Sequence, residues 1–165
     1  MRSLQAPRIG VAYGIWERLT RLRDLWPVSP VLFRRLALLT AFLMGAIIVS
    51  GGAVRLTGSG LGCPDWPNCF KHEYVAPLAF HPLVEFANRV FTVALSVSVG
   101  VTTLAALLRR PWRRDLALLS GGLLLGIIGQ IILGGLVVIF KLYPPLVMIH
   151  FVFSIAIVVD AVVLH

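Results

Sequence analysis

The sequence predicts an all-α membrane protein: a bundle of four transmembrane helices with an extended outer first loop and an inner N-terminal segment. Three observations carry this. Hydrophobic residues make up 58% of the 165 and charged residues only 13%, about half the charge of an average soluble domain. The apolar residues gather into four long runs on the scale of a bilayer core, which takes about 20 helical residues. The lysines and arginines crowd into alternate connections, as membrane topology demands. The net charge of +8 therefore reads as topology and attraction to anionic membrane lipid, not as a nucleic-acid surface. Two cysteines allow one bridge and no disulfide framework.

Residues 1–35 form a basic cytoplasmic or interfacial segment, and residues 36–165 form the membrane bundle. The first segment carries Arg2, Arg8, Arg18, Arg21, Arg23, Arg34 and Arg35 against Glu17 and Asp24. It has no apolar core followed by a small-residue cleavage site, so a cleaved signal peptide is not expected. Ile15, Trp16, Leu19, Leu22 and Trp26 recur at helical spacing with charges between them. Two readings stand: a short helix lying on the membrane surface, or a loose basic tail. Leu36–Val54 holds no charge and is the first span. Arg55 to His81 is a polar loop. Val90–Leu108 is the second span, and Glu85 to Arg89 belongs to the same helix, with Pro82 suited to its first turn. Arg109–Asp115 is a basic turn, Leu116–Phe140 the third span, Lys141–Pro145 a tight turn, and Leu146 onward the fourth span, interrupted by His150 and Asp160.

The arginine and lysine distribution sets the orientation. The N-terminal segment and the turn with Arg109, Arg110, Arg113 and Arg114 sit inside. The first loop and the turn with Lys141 alone sit outside. Outside a bacterial plasma membrane a disulfide forms and persists. Cys63 and Cys69 are close enough for a small closed loop, either a plain stiffening bridge or a redox pair.

Ionisable groups inside a membrane are costly and so are functional candidates. Glu85, Asn88 and Arg89 stand at i, i+3 and i+4 on one helix face, where Glu85 can pair with Arg89. That spacing fits a salt-bridged helix end as well as a site. His150 lies about 8–10 Å below the outer surface at 1.5 Å per residue, at a depth similar to that of Asn88. Its imidazole suits a metal ligand or a simple hydrogen bond to a neighbour. Gln130 lies in the outer half of the third span, followed by Gly134 and Gly135, which permit close approach of a helix or of a flat ligand. Arg55 and Arg89 at the outer rim suit ligand carboxylates, while Arg55 also suits a plain flanking charge. His72 and His81 read as surface residues, and Asp160 has no assigned role. A flat, apolar dicarboxylate with an axial nitrogen ligand fits these polar groups, and haem is one such molecule.

Val54-Arg55-Leu56-Thr57-Gly58-Ser59-Gly60-Leu61, leading into Cys63-Pro64-Asp65-Trp66-Pro67-Asn68-Cys69, resembles the first outer loop of haem A synthases. Glu85-Phe86-Ala87-Asn88-Arg89 resembles that family's Glu-x-x-His-Arg segment, with asparagine where the family has histidine. Gln130-Ile131-Ile132-Leu133-Gly134-Gly135 and the later Pro145 to His150 resemble its third and fourth helices. The likeness runs from about Leu36 to the end. It implies oxidation of a methyl group of haem O to the formyl group of haem A, by two hydroxylations and loss of water, for terminal oxidases.

By the same resemblance Glu85 is the catalytic carboxylate and His150 an axial iron ligand. Arg55, Arg89, Asn88 and Gln130 line the haem site, and Cys63 and Cys69 form the outer disulfide. Asparagine is a poor iron ligand, so the resemblance does not carry over bis-histidine ligation here; single-histidine ligation with an open sixth position is one arrangement left, and the second ligand stays open. The family has eight spans in two similar halves, with haem b in the second. This chain reads as the N-terminal half, its other half supplied by a missing C-terminal segment or by a second copy. Haem O synthase and oxidase assembly factors are the partners implied. Two other functions fit the residues: a non-catalytic haem-binding or electron-transfer half-module, and a membrane thiol-disulfide exchange protein using Cys63 and Cys69.

Overall fold

The computed structural model describes residues 9–165. Arg2 and Arg8 lie outside the described residues, as do the side chains of Ile15 and Trp16. Five helices follow in order: α1 (Ile9–Leu25), α2 (Pro30–Leu56), α3 (Phe80–Leu108), α4 (Arg114–Ile139) and α5 (Pro144–Leu164). Helices α2 to α5 are each long and apolar enough to cross a membrane. They form a closed ring in which α2 packs on α3, α3 on α4, α4 on α5 and α5 back on α2. Helices α3 and α5 are diagonal, without close approach of their backbones. The chain is a multi-pass membrane protein with the four-helix bundle expected.

The helices run past the uncharged stretches that mark the spans. Helix α2 begins at Pro30, six residues before Leu36, because Ser29 caps it by accepting from the Leu32 N–H at 3.2 Å. Proline at the first position has no amide hydrogen to lose there. Arg34 and Arg35 thus lie within the helix, since charge marks the edge of an apolar layer and not the end of hydrogen bonding. Helix α3 starts at Phe80 and includes Glu85 to Arg89. Pro144 and Pro145 start α5 directly after Lys141 and Leu142, whose φ of 50° and 61° make the tight turn.

Packing between α4 and α5 rests on glycine. A Cβ on Gly126 would stand 3.0 Å from Ile157, and one on Gly129 would stand 3.0 Å from Phe153. Gly122, one turn away, faces the Asp160 carboxylate at 3.4 Å. Lipid gives helices no hydrophobic reason to associate, so close approach through small residues and buried polar contacts must do it. Between α2 and α3 that contact is a hydroxyl cluster. Thr40 Oγ1 lies 2.8 Å from Thr102 Oγ1 and 2.7 Å from Ser98 Oγ, with Thr40 and Thr102 fully buried. Leu95, Val99, Leu123 and Ile157 fill the centre, while Phe42 and Leu125 are each 70% exposed on the outer face, as a lipid-facing surface requires.

Helix α1 and the Arg109–Arg113 turn share one end of the bundle. Val28 N–H donates to Leu108 O at 3.2 Å, Arg110 N–H to Val28 O at 3.0 Å, and Arg110 pairs with Asp24. The docking residue is basic, unlike the apolar stripe read from the sequence. Arg23 is 5% exposed, donates to Leu107 O at 2.6 Å and lies 4.8 Å over the Trp112 ring. Burial and the nearby Arg110 lower its pKa. Leu22 and Trp26 stay exposed, which fits a helix resting on a membrane surface.

The cysteine loop and the Lys141 turn share the other end. Lys141 Nζ donates to Pro64 O at 3.3 Å, and a Cβ on Gly60 would stand 3.2 Å from Leu142. Trp66 lies against the α4 notch at Gly135, where a Cβ would stand 2.9 Å from the indole. Gly62 is tighter still, with the His81 carbonyl oxygen 2.3 Å from where its Cβ would be. Thr40→Val keeps the shape of the α2–α3 contact and removes its hydroxyl. We expect it to lower unfolding free energy in micelles by about 0.6 kcal/mol, and by less than ~1.7. An unchanged stability in denaturant titration would show that the hydroxyl cluster holds nothing.

Candidate functional site

The polar residues gather at the loop end in two clusters. The first joins α3 to the cysteine loop. Cys63 and Cys69 are disulfide-bonded, and both are buried to within 1%. Glu85, 5% exposed, accepts from Cys63 N–H on Oε2 at 2.8 Å and from Arg89 Nη2 on Oε1 at 2.6 Å. Arg89 Nη2 also donates to Cys63 O at 2.9 Å. Its Nη1 donates to Asp65 O and Asn68 O, both at 3.0 Å, and to Pro67 O at 3.5 Å. The i, i+4 pairing seen in the sequence is thus formed, and it continues into the loop backbone.

Asn88 turns to α2, where Ser50 Oγ donates to its Oδ1 at 2.9 Å. A nearby chain of polar contacts fastens the start of the loop. Thr57 Oγ1 and Ser59 Oγ lie 2.8 Å apart, and Ser59 Oγ lies 3.0 Å from His81 Nδ1. His81 therefore secures the loop and is more than a bare surface histidine. His72 is exposed. Arg55, in the last turn of α2, is exposed and joins neither cluster; among the described residues its side chain makes no hydrogen bond or ion pair.

The second cluster lies between α4 and α5. Gln130 Nε2 donates to His150 O at 3.1 Å and to Ser154 Oγ at 2.8 Å, and Ser154 Oγ donates to the same carbonyl at 2.8 Å. The His150 ring faces Gly134, with Cε1 3.5 Å from where a Cβ would stand. Among the described residues neither ring nitrogen makes a hydrogen bond, and Nδ1 is buried without a partner, as is Gln130 Oε1. An unpartnered imidazole keeps a lone pair available for a ligand bond. Gln130 aims its amide nitrogen at helix backbone and leaves only the oxygen free.

No hydrogen bond links the two clusters among the described residues. One cavity of about 370 Å³ lies between the cysteine loop and the α4–α5 turn, walled by Trp66, Pro67, Lys71 and Lys141 among others. An apolar groove of about 580 Å³ runs along α4 and α5 past Leu133, Met148 and Phe153. Neither is walled by Glu85 or His150. Ser50, Ser154 and the loop carbonyls are the site's members that sequence reasoning missed. Serines carry no charge signal, and backbone acceptors carry no sequence signal at all.

Residues 34–164 match the family model COX15-CtaA, described as cytochrome oxidase assembly protein. Among curated relatives, the haem A synthase of Geobacillus thermodenitrificans is 31% identical over 98 residues, covering 58% of this chain and 30% of that protein. The haem A synthase of Shouchella clausii is 32% identical over 127 residues, covering 73% of this chain and 40% of its own length. That of Shewanella oneidensis is 49% identical over a shorter stretch of 37 residues, 22% of this chain and 11% of that protein. The chain thus spans well under half the length of these relatives. With the family model covering most of the chain and all four spans, this chain belongs to the COX15-CtaA family of cytochrome oxidase assembly proteins.

Proposed function

We propose that this chain carries the haem O-oxidising site of a haem A synthase, converting a methyl group of haem O to the formyl group of haem A. The observation that supports it most is His150, an imidazole in a membrane-spanning helix whose nitrogens make no hydrogen bond among the described residues, with a glycine at its side. Leaving such a group unpaired costs free energy that a metal–nitrogen bond recovers. The fit to haem is therefore chemical: an unbonded imidazole nitrogen within an apolar bundle, with Gly134 of α4 at its side. Under this reading residues 36–165 are the haem-binding unit and residues 1–35 the cytoplasmic segment. The cysteine loop lies outside a bacterial plasma membrane. The partners are haem O synthase, oxidase assembly factors and a second half-bundle.

Haem O is the substrate. Turning its methyl carbon into a formyl group adds one oxygen atom and removes four electrons and, with water as the oxygen source, four protons. The reaction therefore also consumes an oxygen source, water or dioxygen, and an external electron acceptor. Glu85 is the carboxylate given to that carbon. Each hydroxylation passes two electrons to that external acceptor and, where water supplies the oxygen, releases two protons, and a carboxylate at the carbon would stabilise developing positive charge and accept one of them. Glu85 accepts one bond on each oxygen, and a carboxylate has about four acceptor sites, so capacity remains. Arg55 is the arginine with donors to spare for a substrate carboxylate, while Gln130 and Ser154 fix the backbone that carries His150. Asn88, bonded to Ser50, is a poor iron ligand, so His150 is the residue that would hold the iron.

Thiol exchange is the weaker reading, because an attacking thiolate needs access and both sulfurs are buried. In the folded chain, a water-soluble phosphine is expected to leave the Cys63–Cys69 bridge intact until the loop is unfolded. Prompt reduction, read by mass after alkylation, would restore that alternative.

Purified chain supplied with haem is expected to give a Soret band of high-spin, singly ligated iron that binds carbon monoxide on reduction. His150→Ala is expected to weaken haem binding at least about tenfold, a change of ~1.4 kcal/mol. Retention of wild-type affinity in that variant would exclude His150 as the ligand. In cells making haem O, Glu85→Gln keeps the side chain's size and is expected to cut haem A formation at least about 100-fold, the lower range for a general base, with haem binding retained. Haem A at the normal rate would remove Glu85 from the chemistry.

A further inference from the structure

The sequence alone directs Arg89 at a ligand carboxylate. The structure commits it elsewhere. Both terminal nitrogens of its guanidinium are used within the chain, on Glu85 and on the carbonyls of Cys63, Asp65, Asn68 and Pro67. Only Nε–H is left. We propose that Arg89 is a positioning residue: it seats the disulfide loop on α3 and thereby fixes the Glu85 carboxylate through both of its oxygens.

The geometry makes the three parts interdependent. Arg89 holds Oε1 directly at 2.6 Å and holds Oε2 indirectly, because the Cys63 N–H that donates to Oε2 at 2.8 Å belongs to the loop that Arg89 gathers. The bridge to Cys69 closes the same loop, so that the carbonyls of residues 63, 65 and 68 converge on one guanidinium. Loop carbonyls at the edge of a membrane need donors, and a planar fork reaches several at once where an ammonium cannot. Gly62 sets the approach of the loop to α3, since any Cβ there would meet the His81 carbonyl at 2.3 Å. Loss of Arg89 thus leaves the Glu85 charge without its partner and removes a donor from each of these carbonyls.

The catalytic consequence rests on the reading of Glu85 given above, but the positioning is measured without haem. The chain in nanodiscs is treated with a water-soluble carbodiimide and an amine, and modification of Glu85 is followed by peptide mass, with exposed Glu73 as internal reference. Glu85 is expected to be protected in the wild-type chain. Arg89→Gln is expected to raise its modification rate at least about tenfold, a modest fraction of what an unpaired buried charge permits. Arg89→Lys is expected to raise it less. Gly62→Ala, which displaces the loop with Arg89 and Glu85 both present, is expected to raise it too. Helix content and the intact bridge show that each variant is folded, and if Arg89→Gln does not fold, the other two variants carry the test. Wild-type protection of Glu85 in a folded Arg89 variant, or in Gly62→Ala, would overturn the proposal. Should the rates rise as expected while Glu85→Gln still makes haem A, the positioning stands and the catalytic role falls.

Discussion

An irregular loop set on the end of a membrane bundle must find donors for its carbonyls and acceptors for its amides. The Glu85–Arg89 pair supplies both. One carboxylate oxygen accepts from the Cys63 N–H, and the guanidinium donates to the Cys63, Asp65 and Asn68 carbonyls. A buried ion pair is weak evidence of stability when it stands alone, because desolvation offsets the attraction. Here the remaining capacity of both ions is spent on backbone that otherwise goes unsatisfied, which is the condition under which such a pair is retained. The disulfide and the approach at Gly62 have meaning only with respect to that pair, since each brings loop backbone to it.

The bundle below obeys a different economy. Lipid offers its helices no hydrophobic gain from association. Contacts are therefore made by absence of side chain on one helix and presence on the other, as Gly126 receives Ile157 and Gly129 receives Phe153. Further along α4, Gly134 lies against His150 of α5, and Gly135, about 100° further round the helix, receives Trp66 of the cysteine loop. Glycines on more than one side of α4 thus bear on the helix spacing, the place of the imidazole and the seat of the loop. A change in the spacing of α4 and α5 would move His150 with it.

Much of the fold was legible because the membrane writes it in two simple codes, apolar length and arginine count. The four spans and the pairing of connections at the two ends follow from them. Helix limits were less legible. Arg34 and Arg35 end an apolar run without ending the hydrogen bonding that Ser29 and Pro30 begin. The Glu85–Arg89 pair could be read from spacing four apart, and the bridge from compartment and proximity. The commitment of Arg89 to carbonyls could not, because a backbone acceptor looks the same at every residue. For the same reason the side chains of Gln130 and Ser154, which meet at the His150 carbonyl, look like independent polar residues in the sequence. Arg23 was misleading in the opposite direction. Its charge suggests a solvated face, yet its stem and guanidinium pack beneath α1 on Trp112, where an arginine's planar, weakly hydrated head is tolerated.

The two clusters differ in what each has left to offer. In the α3 cluster, charge meets charge and nearly every strong donor is used. Between α4 and α5, the Gln130 amide oxygen and the His150 Nδ1 are buried with nothing to bond. Each unsatisfied group of that kind costs about 1–3 kcal/mol. A protein retains such a cost where the group gains a partner in another state, and the imidazole is the member able to bond a metal. The Glu85 carboxylate thus has a bond on each oxygen, while the His150 Nδ1 has none among the described residues.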